Sequence, residues 1–271
     1  MGTSNFGVLD EGIPGAVMNT ASRDAQYLRL KKSIVPNLIF NQTLFENTLR
    51  SHVSQKTIWL EAGCGHKLLP SWRGDPEREL IHGVEFVCGC DGDEKAIREH
   101  RSLMHRVVCD LGALPFRSET FTLITCNMVA EHLEDPQGVF IEFSRILKSG
   151  EGIAIIHTPH RWSYFAIISA FVPQFIKDRV ARTLDGRQAE DYYPVRYRCN
   201  TPSCLQRLFH NAGMEELKVN MYASDAVFHF LADNMLGRMI LRMELYLLRL
   251  SLRPSWRFLR LSICGVYKKS C

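Results

Sequence analysis

The length, composition and charge of the chain are those of a folded globular protein. It has 271 residues, of which 46% are hydrophobic and 23% are charged, and such values are ordinary for a protein with a substantial core. The formal net charge of +4 is small for this length, so the composition gives no indication of a nucleic-acid partner. Because no stretch of about eighteen uncharged apolar residues occurs, we predict no membrane-spanning helix.

The cysteines indicate a reducing compartment. The chain has nine of them, an odd number without a Cys-x-x-Cys pair, which is typical of reduced, mostly structural thiols. The spacing of Cys88, Cys90, Cys109 and Cys126 fits no familiar zinc pattern, so no metal site is predicted. We therefore expect a cytoplasmic protein.

The first 52 residues are predicted to lie outside the main domain. Residues 1–20 read as a loose tail rich in Gly, Ser and Asn, and residues 21–52 carry apolar side chains at helical spacing, interrupted at Pro36. We interpret this segment as a lid over a cofactor or substrate, and residues 53–271 as one domain.

Short apolar runs then alternate with helical stretches. The runs are rich in β-branched residues, as in strands buried on both faces, and cover residues 57–62, 85–91, 106–110, 121–127 and 152–158. Helical spacing occurs between them at 93–103 and 135–149, and this alternation implies a parallel sheet. Two later runs, 215–223 and 261–270, complete a predicted Rossmann-like α/β fold with a seven-stranded, mostly parallel sheet sandwiched by helices. Ligands bind beyond the carboxyl ends of the strands in such sheets.

Two insertions interrupt the alternation. Residues 160–200 hold an aromatic-rich stretch and a polar loop with tyrosines, and we predict that they form a cap over the substrate. A helix follows, with Thr201 as its N-cap and Pro202 in its first position. Residues 225–258 form a second, helical insertion between the last two strands.

The second insertion carries a stripe of arginines. On a helical wheel they lie on one side, at Arg238, Arg242, Arg249, Arg253, Arg257 and Arg260. Pro254 is predicted to break or kink the helix. Three interpretations stay open: peripheral contact of residues 235–258 with anionic lipid, packing against the rest of the protein with the arginines in solvent, or a homodimer contact.

The stretch "TIWLEAGCGHKLLP", residues 57–70, raises the question of a nucleotide-like ligand. An apolar strand stops at Glu61 and turns through Gly63 and Gly65. A dinucleotide site would need a third glycine, but Leu68 stands in its place, so NAD is not predicted.

Several motifs in order resemble class I S-adenosylmethionine-dependent methyltransferases, and in particular the ubiquinone/menaquinone-biosynthesis type. These motifs are "LEAGCGHK", "VCGCDGDE", "CDLGALPFRSETFTLITC", "NMVAEHLEDP" and "RILKSGEGIAI". The family usually has glycine where Lys67 and Glu151 stand, and proline where Ser149 stands. The resemblance covers residues 57–158 well and the terminal strands loosely.

The resemblance implies a set of cofactor-binding residues at successive strand ends. Glu61 with the glycine turn is placed at the methionyl end of S-adenosylmethionine, and backbone N–H groups of the turn are expected to bind its carboxylate. Asp91, before Gly92, is placed at the ribose hydroxyls, with Asp93 as the substitute. The remaining assignments are Asp110 and Leu111 at the adenine, and Asn127 and Met128 beside the sulfonium.

Catalytic residues are less defined. Methyl transfer mainly requires positioning, and a general base is needed only for a protonated acceptor. The base candidates are His157, His160 and Tyr193, with Asp191 and Tyr192 nearby. His160 could equally open the helix that follows it, and His132 could be an orienting residue near the substrate.

We therefore predict an enzyme that methylates a small, apolar or ring-bearing acceptor, with oxygen favoured over carbon or nitrogen. The alternative is a cofactor-binding pseudoenzyme that acts through partners, supported by Lys67 and Glu151. A nucleic-acid substrate is not predicted, because "NMVA" replaces the Asn/Asp-Pro-Pro-Tyr/Phe type of motif after the fourth strand.

Overall fold

The computed structural model describes residues 26–69, 74–171, 194–223 and 235–271. Within these ranges no helix is both long and apolar enough to cross a membrane. The predicted tail, most of the predicted cap and the start of the second insertion lie outside the described residues.

Seven strands and eight α-helices are described, together with a 3-10 helix. Residues 26–34 are helical (α1). The other helices are α2 (Asn41–Arg50), α3 (Gly74–His82), α4 (Glu94–Glu99), α5 (Pro136–Ile146), α6 (Tyr164–Phe171), α7 (Pro202–Asn211), α8 (Met235–Ser251) and the 3-10 helix Pro254–Leu259. The strands are β1 (Ile58–Ala62), β2 (Phe86–Asp91), β3 (His105–Val108), β4 (Leu123–Asn127), β5 (Ile153–Pro159), β6 (Met214–Tyr222) and β7 (Ser262–Lys269).

The strands form one sheet in the order β3-β2-β1-β4-β5-β7-β6. The first five strands pair in parallel, and β7 runs antiparallel to both β5 and β6. The predicted seven-stranded, mostly parallel sheet is confirmed. The carboxyl ends of β1 to β5 therefore meet along one edge, and this edge carries the predicted cofactor residues.

Each face of the sheet is covered by helices, because buried strands present apolar side chains on alternating sides. On one face, Trp59, Leu123 and Ile155 cluster with Phe45 of α2 and Ile97 of α4. On the opposite face, the strands cluster with residues of α5 and α7. Three rings stack there in series, with Phe140 to Phe209 at 4.2 Å and Phe209 to Tyr267 at 3.9 Å between ring centroids.

The chain divides into two compact units. The larger comprises residues 39–224 and 251–271 and contains the whole sheet. The smaller comprises residues 1–38 and 225–250, of which α1 and most of α8 are described.

Local sequence signals account for several element ends. The Thr201 hydroxyl accepts from the N–H of Cys204 at 3.3 Å, as expected of the N-cap of α7. The helix predicted over 93–103 is shorter than expected, because it stops at His100. That residue takes an extended backbone, and its ring Nδ1 accepts from the N–H groups of Ser102 and Leu103, so the chain leaves the helix there.

The packing of β2 leads to a stability prediction. A Cβ at Gly89 would lie 2.7 Å from both Cys64 Sγ and Leu103 Cδ1, whereas one at Gly92 would meet only the Cys109 carbonyl oxygen, at 3.8 Å. We expect Gly89→Ala to lower the free energy of unfolding by about 1–3 kcal/mol through overpacking. Gly92→Ala is the matched control and should stay within about 0.5 kcal/mol of wild type. Urea denaturation measures both, and equal stability of the two variants would contradict the packing argument.

Candidate cofactor site

The glycine turn after β1 is held by the end of β2. The N–H groups of Gly63 and Cys64 both donate to the carbonyl oxygen of Cys90, at 2.7 and 3.0 Å. The N–H of Gly65 donates to the Asp91 carboxylate at 2.9 Å. The sequence predicts that N–H groups of this turn bind a cofactor carboxylate, but these three already have acceptors within the protein. A carboxylate would need other donors, and these three residues contribute the shape of the turn.

That shape requires glycine for two reasons. Gly63 has φ +74° and Gly65 has φ +53°. Both angles lie in the left-handed region of the backbone, which residues other than glycine rarely adopt. A Cβ at Gly63 would lie 2.4 Å from Val129 Cγ2, so the turn also passes closely under the loop after β4. At Gly65 no heavy atom of the described residues lies within 4 Å of the same position. The backbone at Gly65 is therefore open to a ligand on that side.

Glu61 is a buried acid beneath the turn. Only 3% of it is exposed. The Trp59 indole donates to the Thr125 hydroxyl, which in turn donates to the Glu61 carboxylate. Burial raises the pKa of Glu61 to about 8, and the hydrogen bond from Thr125 offsets only part of that effect. A cation placed beside this carboxyl would favour its ionised form, which suits the amine that the resemblance places here.

The two acids after β2 have different partners. One Asp91 oxygen accepts from Gly65 and the other accepts from the N–H of Asp93 at 2.9 Å. Asp93 is the N-cap of α4, and its carboxylate accepts from the N–H groups of Lys95 and Ala96. Asp91 therefore faces the glycine turn and keeps spare acceptor capacity, whereas Asp93 holds the helix. This geometry favours Asp91 over Asp93 for the ribose.

The predicted adenine residues follow β3. Asp110 is exposed and Leu111 is buried. Their loop is fixed from α5, since the Glu142 carboxylate accepts from the N–H of Leu114 at 2.9 Å and Arg145 donates to the Leu114 carbonyl at 2.9 Å. The loop therefore has a defined position beside the end of β2.

Asn127 and Met128 end β4 in a strained conformation. Met128 has φ +58° although it is not glycine, and such a backbone costs on the order of 1–3 kcal/mol. Its N–H donates to the His157 carbonyl at 2.7 Å, which helps to hold that conformation. Residues with this strain cluster at functional sites, so its occurrence here agrees with the predicted place of Met128 at a ligand.

His157 is buried and neutral. It lies on β5, stacks on Phe45 of α2 with ring centroids 5.2 Å apart, and is 1% exposed. Its Nδ1 donates to Asn127 Oδ1 at 2.8 Å, so Nε2 carries the lone pair. Burial lowers the pKa of His157 to about 4, and within the described ranges Nε2 has no hydrogen-bond partner. The imidazole thus contacts the predicted sulfonium residue Asn127 through Nδ1, and Nε2 is its unprotonated nitrogen.

The other base candidates differ from His157. His160 is 4% exposed, and its N–H donates to the Leu261 carbonyl at 2.8 Å. Burial lowers the pKa of His160, and hydrogen bonds to the carbonyls of Arg260 and Phe258 partly offset this. Its contacts are therefore those of a brace between β5 and the segment before β7. Tyr193, like Asp191 and Tyr192, lies outside the described residues.

Glu131 was not singled out from the sequence, although it precedes His132 in the quoted motif. It is 4% exposed, accepts from the Thr158 hydroxyl at 2.8 Å, and burial raises its pKa. The Asn200 side chain donates to the same hydroxyl at 2.6 Å. The Glu131 carbonyl also accepts from the N–H groups of residues 196 and 197, at 2.7 and 3.1 Å.

The segment 194–200 is thereby tied to the loop after β4. His132 Nδ1 donates to the Pro194 carbonyl at 3.1 Å, and Arg196 pairs with the Glu134 carboxylate at 2.6 Å. Arg198 donates to the Glu134 carbonyl. The acids in "EHLEDP" and the arginines in "VRYRCN" were visible in the sequence, but nothing local to either segment indicates that they pair.

A cavity of about 560 Å³ lies elsewhere in the larger unit, next to α3 and the amino-terminal ends of β2 and β3. None of the predicted cofactor residues lines it. Among the described residues, no group of three or more His, Cys, Asp or Glu is placed to hold a metal ion.

The raised pKa of Glu61 predicts a pH-dependent cost to stability. Below pH 4.5, the ordinary pKa of a Glu carboxyl, Glu61 is protonated in both the folded and the unfolded protein. Between there and about pH 8 the folded protein keeps this proton and the unfolded protein has lost it. Wild type should therefore lose stability relative to Glu61→Gln as the pH rises over this window, by up to a few kcal/mol. Thermal unfolding measures this between pH 4.5 and 9. Glu85→Gln, which removes an exposed carboxyl, is the control, and a parallel pH response of all three proteins would contradict the assignment.

Comparison with known proteins identifies a methyltransferase domain in the chain. Residues 60–156, about a third of the chain, match the family profile described as "Methyltransferase domain". None of the curated proteins compared with the chain matched it.

Solved structures of low sequence identity share the fold. An S-adenosylmethionine-dependent methyltransferase from Mesorhizobium loti superposes with a TM-score of 0.51 at 14% identity, over 82% of this chain and 96% of that chain. A Haloferax volcanii protein in complex with the Trm112 methyltransferase activator gives 0.53 at 15% identity, over 98% and 100% of the two chains. The [4+2]-cyclase SpnF gives 0.52 at 14% identity, over 84% and 81%. Because a cyclase shares the fold, the likeness shows the architecture, and the domain match carries the enzyme class.

The matched residues run from β1 to β5 and include the glycine turn, Asp91 at the end of β2, Asp110 after β3, and Asn127. These residues fit S-adenosylmethionine: an open glycine backbone, a buried acid suited to a cation, and an acid with acceptors to spare for hydroxyl groups. The chain therefore carries a methyltransferase domain over residues 60–156, with S-adenosylmethionine as its cofactor.

Proposed function

We propose that the protein transfers a methyl group to a small, apolar or ring-bearing acceptor, and that the acceptor atom is oxygen. The observation that carries this is the join between the loop after β4 and segment 194–200. This join brings residues 194–200, the last part of the predicted cap (160–200), to the edge of the sheet where Asn127 and His157 meet. Aromatic side chains occur at both described ends of the cap, with Trp162 and Phe165 exposed after β5.

Different residues are proposed to bind different parts of the cofactor. Glu61 would neutralise the methionyl amine, Asp91 would accept from the ribose hydroxyls, and Asp110 with Leu111 would hold the adenine. Asn127 and Met128 would border the sulfonium. When bound, S-adenosylmethionine supplies an electrophilic methyl group on a sulfonium that leaves as a neutral thioether.

The chain's own contribution to the reaction is mainly positioning, an effect worth on the order of 7–11 kcal/mol at best. α2 lies against this site, since Phe45 stacks on His157 and Thr48 lies 3.1 Å from the Tyr222 hydroxyl. This contact supports a role for α2 at the site, and the lid role of residues 1–52 stays a prediction. A hydroxyl acceptor also has to lose a proton, and Nε2 of His157, which carries the lone pair, is the base proposed to take it.

Fewer observations bear on the binding partners of the protein. The acceptor is a small molecule, and nucleic acid is not proposed as a substrate. A homodimer and the ubiquinone/menaquinone-type subfamily remain predictions. Contact with a membrane through residues 235–258 is argued separately below.

The first experiment is a calorimetric titration of S-adenosylmethionine and its demethylated product. Asp91→Ala removes two acceptors and a charge at the ribose position, and we expect affinity to fall about 10- to 100-fold. Asp93→Ala is the matched control, because it removes the cap of α4 and leaves Asp91 in place. It should bind as wild type does.

Two outcomes would contradict the cofactor assignment: equal losses in both variants, or no binding of either compound to wild type. Binding that follows the prediction justifies an acceptor screen with labelled methyl groups. A product labelled on carbon or nitrogen would replace the proposed oxygen acceptor.

The pKa of His157 predicts the pH profile of turnover. If neutral His157 is the base, the acid limb of kcat/KM should lie near pH 4, because the imidazole must lose its proton before it can act, and not near 6.5. His157→Gln should lower kcat at saturating acceptor by about 100-fold or more. His210→Gln, on the exposed end of α7, is the control. Full turnover of His157→Gln would remove His157 from the mechanism.

A further inference from the structure

Residues 252–258 form an exposed basic and aromatic surface, which we call the interfacial segment. None of the residues of its 3-10 helix is buried. Leu252 is 41% exposed, Trp256 41% and Phe258 48%, and the two aromatic rings stack with centroids 5.7 Å apart. Arg253 and Arg257 are exposed between them. Large apolar side chains grouped in solvent usually mark a binding surface.

This segment is held firmly at the active edge of the sheet. The chain reaches it from α8 and leaves it into β7, which begins at Ser262 opposite Pro159 at the end of β5. Arg260 ties both sides together, since it donates to the Ser251 carbonyl at 3.0 Å and to the Met221 carbonyl at 2.8 Å. The exposed side chains therefore project from the same edge of the larger unit that carries the cofactor residues.

The charge of the region has one sign. From residue 235 to the end of the sequence, Glu244 is the sole acidic side chain, and it is 3% exposed. The exposed charges of the interfacial segment come from its two arginines. A surface of this kind is complementary to an anionic partner.

The described part of α8, taken by itself, has the same character. Leu241, Leu245 and Leu248 are fully buried on one side of the helix. A second apolar band is exposed, with Met239 at 54%, Met243 at 62% and Tyr246 at 57%. Arg242 and Arg249 are exposed on the same helix. One apolar side of the predicted wide arc is thus buried, and another faces solvent.

We propose that the interfacial segment binds the surface of an anionic lipid bilayer. Aromatic side chains and long apolar ones beside arginines are the composition of segments that lie in the headgroup region. A second copy of this chain would bring the same arginines face to face, which like-charge repulsion disfavours. If the proposed function holds, docking would turn the acceptor edge toward the bilayer, so that an acceptor dissolved in lipid could enter there.

The test is co-sedimentation of the full-length protein with vesicles, which needs no activity. We expect binding to vesicles that contain phosphatidylglycerol, weaker binding to pure phosphatidylcholine, and a loss of binding as salt is added. Arg253→Glu/Arg257→Glu should weaken binding to the anionic vesicles on the order of tenfold or more. Trp256→Ala/Phe258→Ala should weaken it several-fold.

Matched controls separate this surface from general charge and hydrophobicity. Arg117→Glu/Arg207→Glu makes the same change in net charge at exposed sites elsewhere, and Met104→Ala/Leu217→Ala removes exposed apolar side chains elsewhere. Both should bind vesicles as wild type does. Calorimetry with S-adenosylmethionine tests the cofactor site and does not depend on vesicle binding. A failure of the proposed function can therefore be told apart from a failure of the membrane proposal.

Three results would overturn the proposal. The first is a failure of wild type to sediment with anionic vesicles at low salt, and the second is a loss of binding in the control pairs as large as that in the surface variants. The third is a lipid-free dimer in sedimentation velocity that Trp256→Ala/Phe258→Ala dissociates without any change in vesicle binding. That result would identify a second copy of the chain as the occupant.

Discussion

The end of β2 holds the glycine turn that follows β1, and the geometry of the whole site depends on this contact. A single carbonyl, that of Cys90, accepts two N–H groups of the turn, and the next residue, Asp91, accepts a third through its side chain. Asp91 therefore has two connected roles, because the carboxylate that shapes the turn is also the one proposed for the ribose. Gly63 completes the arrangement, since only a residue without a Cβ can pass so close to Val129.

The sheet places polar side chains where an apolar core would be more stable. Glu61 and Thr125 lie on the same face of the sheet as Trp59, and Asn127 and His157 meet at the ends of β4 and β5. Burial keeps Glu61 protonated and His157 neutral near pH 7. A cation beside Glu61 would favour the ionised form of its carboxyl. The neutral imidazole of His157 already carries a lone pair that can accept a proton. The cost in stability is concentrated at the carboxyl edge, and the opposite face keeps a continuous stack of aromatic rings.

The insertions are anchored at the same edge. Glu131 and Glu134 fasten segment 194–200 to the loop after β4, and His160 and Arg260 fasten the segment before β7 to the ends of β5 and β6. Both anchors include hydrogen bonds to backbone carbonyl groups, whereas the Arg196–Glu134 ion pair is exposed. The conserved geometry of a parallel sheet thus leaves its carboxyl edge free for specialised segments, and here these bring aromatic and basic side chains next to the site.

The sequence by itself determined the order of the elements, the glycine turn and the acids at successive strand ends. These features are local: alternation marks buried strands, the N-cap at Thr201 marks a helix, and Pro254 breaks one. The tertiary structure alone decided that Asp91 and not Asp93 faces the turn, that Glu61 and His157 are buried deeply enough to change protonation, and that Glu131 joins a network with Thr158 and Asn200. It also decided which apolar side of α8 is buried. These outcomes depend on which distant groups share a buried space, and the free energy of a charge or a hydrogen bond is set by that surrounding space and not by the neighbours in the chain.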